Sequence, residues 1–113
     1  MDSVCAAFPI LPGKSEAARA FLRELAGPRS EENAASDRRV GITKEAWFFQ
    51  NLPTGDLLIG YAEGEDLARS LGQIAASQEP SDRWFKDRML DLTGVDLNQM
   101  EGAPSERLYQ YEA

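Results

Sequence analysis

Histidine is absent from the 113 residues, and cysteine occurs once, as Cys5. These absences exclude a large part of protein chemistry. Zinc and related metal sites draw on Cys and His at short spacings, and one thiol without an imidazole cannot assemble one. Ser–His–Asp and Cys–His arrangements fail for want of the imidazole base. A single cysteine forms no internal disulfide, and Met1-Asp2-Ser3 lacks the basic start of a secretory signal, so a reducing cytoplasm is the expected compartment. No apolar run approaches the roughly 20 residues that span a bilayer. Gly60, Gly64 and Gly72 lie too far apart, and in the wrong context, for a phosphate-binding loop. Positive charge is also scarce: 12 Lys and Arg stand against 19 Asp and Glu, a formal net charge of −7. A nucleic-acid binder needs the opposite balance. No metal, cofactor, nucleic-acid or membrane partner is therefore expected.

What is present suits one globular domain over residues 1–113, with 42% hydrophobic residues to build a core. A mostly apolar run, Val4 to Leu11, reads as a strand closed by Pro12-Gly13, with Pro9 near its end. Ser15 to Leu25 switches to helical period, with Ala18, Phe21, Leu22 and Leu25 in one stripe. After Gly27-Pro28, Arg29 to Arg39 reads as a polar helical segment ended by Gly41. Lys44 to Leu52 and Asp56 to Ala62 flank a Pro53-Thr54-Gly55 turn and read as an antiparallel hairpin. Leu67, Leu71 and Ile74 mark a third helix. Ser81 is the expected N-cap of a fourth, which carries Trp84, Phe85, Met89 and Leu92 and closes at Gly94. A loop spans Val95 to Pro104, and Arg107 to Tyr111 reads as a final strand.

This order predicts a ferredoxin-like βαββαβ sandwich, a four-stranded antiparallel sheet with helices on one face. In the hairpin, Ala46, Phe48 and Leu52 share one face and Trp47 and Phe49 the other. In its second strand Leu57, Ile59 and Tyr61 oppose Leu58 and Ala62. Both faces are apolar, yet one helical layer covers only one. A second copy is the economical cover, so a homodimer is expected.

The segments ILPGKSEAARAFLREL, GITKEAWFFQ, GDLLIGYAEGED and DRWFKDRMLDLTGVDL resemble a family of small bacterial proteins of unknown function. That family is itself similar to the dimeric α/β-barrel superfamily, which includes antibiotic-biosynthesis monooxygenases, muconolactone isomerases and heme-degrading monooxygenases. The resemblance implies a homodimeric α/β barrel with a pocket between sheet and helices in each subunit, often working without a cofactor. Heme degradation in that superfamily uses a histidine ligand, which this chain lacks.

The candidate site follows from the aromatic set. Trp47, Phe49, Tyr61 and Trp84 are candidates to line an apolar pocket, with Arg88, Arg83 or Lys86 orienting an anionic or carbonyl group. The plainer reading makes Trp47 and Phe49 interface core and has Trp84 pack its helix on the sheet. The basic clusters Arg38-Arg39 and Arg83, Lys86, Arg88 alternate with Asp37, Asp82 and Asp87, the pattern of solvated helix faces. Cys5, with no base or cation evident beside it, reads as a buried small apolar residue. Two functions stay open. One is a small-ligand protein for an apolar or aromatic compound, as a cofactor-independent oxygenase or isomerase would be. The other is a non-catalytic homodimeric interaction module.

Overall fold

A computed structural model describes all of residues 1–113. Strand β1 (Asp2–Pro9) leads into helices α1 (Ser15–Ala26) and α2 (Ser30–Val40). Strands β2 (Ile42–Leu52) and β3 (Gly55–Gly64) follow, then helices α3 (Leu67–Ala76) and α4 (Pro80–Thr93) and a short 3-10 turn at Leu97–Gln99. The local signals explain most boundaries. β1 stops at Pro9, which has no amide to offer a ladder. Gly41 ends α2 with φ of 86°, a left-handed conformation that a side chain would resist. Asp66 caps α3 by accepting the Arg69 amide at 3.2 Å. α4 begins two residues earlier than a Ser81 cap would place it. Pro80 occupies its first turn, where a missing N–H costs nothing.

The sheet has three antiparallel strands in the order β1-β3-β2. The expected ferredoxin-like four-stranded sandwich is therefore wrong, and the dimeric α/β barrel built from it falls with it. The segment expected to supply the fourth strand, Arg107–Tyr111, forms no ladder. It lies near the free edge of β1, where the Cys5 amide donates to Ser105 Oγ at 3.1 Å and the Arg107 guanidinium donates to Ser3 Oγ at 2.6 Å. At Cys5 a side-chain oxygen thus takes the place of a backbone partner. Leu108, Tyr109 and Tyr111 are all exposed, so the segment has no apolar side to bury and nothing to hold it in register.

Cross-strand register sorts the side chains. Phe8, Leu58 and Phe49 stand in line on one face, as do Ala6, Gly60 and Trp47. Against this face α1 and α4 pack Ala18, Phe21, Met89 and Leu92, which with Leu58 and Leu97 form the buried core. The other face carries Phe48, Leu57, Ile59 and Tyr61, with Phe48 58% exposed. Cys5 is exposed rather than buried, because its place in the alternation puts it on this open face. No helix is long and apolar enough to cross a membrane.

Candidate functional site

Between the helical layer and the sheet lies a cavity of about 100 Å³. Val4, Ala6 and Phe8 of β1, Trp47 of β2 and Ala62 of β3 form its floor; Trp84 and Phe85 of α4, with Leu71 and Ile74 of α3, form its roof. Leu97, Met100 and Pro104 close one end. Gly60 makes room for the floor: a Cβ there would sit 2.8 Å from the Trp47 ring, so only glycine lets the indole lie across β3. The indole then meets Phe8 and Phe85 at ring-centroid distances of 6.0 and 5.7 Å.

The polar part of the wall is acidic. Glu45 shares the face of Trp47 on β2 and accepts the Trp47 indole N–H at 2.8 Å and the Asn33 amide at 2.7 Å. The Asp37 carboxyl, arriving from α2, is hydrogen-bonded to Glu45. Burial pushes the Asp37 carboxyl up to about 9, reinforced by its hydrogen bond to Glu45 and by the nearby negative charges of Glu45 and Asp82. At neutral pH Asp37 therefore keeps its proton. The guanidinium on this wall is engaged elsewhere: Arg29 binds Glu24 and Glu32, each at 2.6 Å, and stacks on Trp84 at 3.9 Å.

Asp82, also on the cavity wall, is only 3% exposed and differs in kind. It accepts the Ser36 and Ser77 hydroxyls at 2.5 Å each and pairs with Arg39. One turn along α4, Lys86 is 2% exposed and donates to the Ala75 and Ser77 carbonyls at 2.9 Å, closing the C-terminus of α3. These two residues do not belong to a solvated helix face, as charge alternation suggested. Their partners come from α2, the end of α3 and the α3–α4 connection, which the α4 sequence does not show.

Of the residues singled out from the sequence, Trp47 and Trp84 line the cavity. Phe49 shares the face of Trp47 but lies outside the lining, under Arg19, whose guanidinium sits 4.3 Å from the ring centroid. Tyr61 borders the cavity through β3, but its side chain belongs to the opposite face. There its hydroxyl donates to Glu63 at 2.5 Å, and that bond holds its pKa above the usual tyrosine value. Arg88 is on the outer side of α4, paired with Asp91 at 3.2 Å. The Asp37–Glu45 pair escaped sequence reading. The available signal was the period-2 alternation that sets Glu45 on one face with Trp47 and Phe49.

Fold and site together define an α+β protein with a three-stranded antiparallel sheet and an aromatic cavity between sheet and helices. In comparison with known proteins, the chain matches no family model, no curated protein and no solved structure.

Proposed function

We propose that this protein binds a compact, uncharged, largely apolar compound carrying one hydrogen-bonding group. The observation that carries this reading is the combination of aromatic walls with the adjoining Asp37 and Glu45 carboxyl groups in one cavity. The volume of about 100 Å³ sets the size of the ligand. Drug-sized ligands occupy roughly 300–1,000 Å³, whereas an engineered cavity of roughly 150 Å³ accepts benzene. One small ring or a short branched chain fits; a polyketide does not. Negative charge on the ligand is disfavoured, because Asp82 and Glu45 face the same space.

Both tryptophans of the chain, Trp47 and Trp84, line the cavity, so intrinsic fluorescence reports its occupancy. Titration with phenol and with cyclopentanone is expected to shift the emission saturably, and Trp47→Phe and Trp84→Phe should each remove part of the signal. An emission spectrum unmoved by any small neutral ring compound would sink the reading.

A second reading, self-association, is favoured by Phe48. It projects beside Leu57 and Ile59 on a face whose only charged strand side chains, Lys44 and Glu63, stand opposite each other. For a chain of net charge −7, that face is where two copies can approach without repulsion. Light scattering at micromolar concentration should give twice the chain mass; a monomer there breaks this reading and leaves the cavity untouched.

A further inference from the structure

Binding alone leaves one feature of the cavity unused: two carboxyl groups, brought from α2 and β2, hydrogen-bonded to each other on its wall. We infer that Asp37 and Glu45 form an acid–base pair that interconverts the keto and enol forms of a small neutral carbonyl compound seated between Trp47 and Trp84. The inference rests on the ligand-binding reading above and assigns its chemistry.

The arrangement separates the two tasks. Glu45 is oriented by Asn33 and by the Trp47 indole, one donor to each oxygen; of the two lone pairs left, one faces Asp37 and the other is open to the substrate. Asp37 stands at its side as the proton carrier. The charged groups around them leave this pairing intact. Arg29 is bound by Glu24 and Glu32, Arg39 is engaged by Asp82, and Asp82 adds only negative charge. A proton, rather than a cation, therefore neutralises the pair. In an apolar enclosure such a hydrogen-bond donor acts most strongly on oxygen that is gaining charge.

The step balances within the pair and the substrate. Glu45 takes a proton from the carbon next to the carbonyl, and the electrons of that C–H bond become the C=C bond. The carbonyl π electrons form a new O–H bond with the proton that Asp37 gives up. Asp37 is left as carboxylate and Glu45 as acid, and transfer along their shared hydrogen bond restores the starting state. No oxidant, reductant or second substrate enters.

The test follows cyclopentanone in D2O by proton NMR, reading the loss of its α-proton signal, while tryptophan fluorescence measures its binding in parallel. Wild-type protein should accelerate deuterium uptake at least tenfold over the same buffer. Asp37→Asn and Glu45→Gln should abolish the acceleration while binding the ketone within about threefold of wild type. Near-UV circular dichroism checks each fold. Should Asp37→Asn not fold, Glu45→Gln, which keeps one acceptor oxygen and so retains either the Asn33 or the Trp47 hydrogen bond, carries the test alone. Ketone that binds wild type without faster exchange, or exchange that persists in a folded variant, overturns the acid–base assignment and leaves the binding reading standing. Ketone that does not bind at all defeats the binding reading, and this inference with it.

Discussion

Asp82 and Asp37 border the same cavity, yet their carboxyl groups are satisfied in opposite ways. Asp82 is surrounded by donors: two serine hydroxyls and the Arg39 guanidinium meet it, and they tie α2 to α4 and to the connection before it. Asp37 meets another acid, and the conflict is settled by a proton. A carboxylate saturated with donors is a structural tie. A carboxyl that keeps a transferable proton beside a base, in an apolar space, is equipped for exchange chemistry. The difference lies in the partners, since the two residues are chemically the same.

The largest effect is expected from breaking the tie. Asp82→Ala leaves Ser36, Ser77 and Arg39 without their shared acceptor. Removing one partner of a buried pair costs roughly 3–5 kcal/mol, and the 41% exposure of the Arg39 side chain places this case near the lower end, about 3 kcal/mol by urea denaturation. Gly60→Ala acts on the other side of the comparison, through Glu45, the partner of Asp37. Its Cβ displaces the Trp47 ring, and with it a donor to Glu45, at about 1–3 kcal/mol and with weakened ligand binding. A Gly60→Ala protein as stable as the parent, with unaltered tryptophan emission, would contradict the packing described for the floor.

Asp37→Asn sharpens the contrast through pH. The folded chain keeps the Asp37 proton up to about 9, whereas the unfolded chain releases it near 4, the ordinary aspartate value. Across that window the unfolded state binds fewer protons, so this group's contribution to stability falls as pH rises and levels off above about 9. The stability of Asp37→Asn minus that of wild type should therefore grow between pH 4 and 9. For a half-buried group screened by solvent, the total is about 1–2 kcal/mol. A difference that stays flat with pH would mean Asp37 is not the proton holder. Phe48→Lys, on the far side of the sheet, is the smallest perturbation. It should change chain stability within about 0.5 kcal/mol and leave both acids as they were, while converting a dimer to monomer in light scattering.

Much of the fold is legible in the sequence where a signal repeats within one element. The β2–β3 hairpin, the α1 and α3 stripes and the Gly41 stop all follow from local spacing, and Trp47 and Trp84 were found as aromatic candidates. What stayed hidden depends on partners far along the chain. Arg107–Tyr111 has strand-like composition, but pairing needs an edge in register, and the edge amide of Cys5 goes to the Ser105 hydroxyl instead. Lys86 and Asp82 look like alternating surface charges because their partners, the α3 carbonyls and the α2 serine, are distant in sequence. Asp37 is harder still: nothing in SDRRV shows that one carboxylate turns inward toward β2.

β1 is paired on one side only, to β3, and along its other edge it is held by the contacts of Ser105 and Arg107. The β2–β3 hairpin, by contrast, is local in sequence and closes on itself. β1, which joins the sheet only through partners far along the chain, is the strand expected to be released first in a partial opening of the native state. Val4, Ala6 and Phe8 are also floor of the cavity, so the same excursion that frees the strand opens the way in. Amide exchange along Val4–Phe8 then measures a doorway, and a ligand that fills the room behind it should slow that exchange.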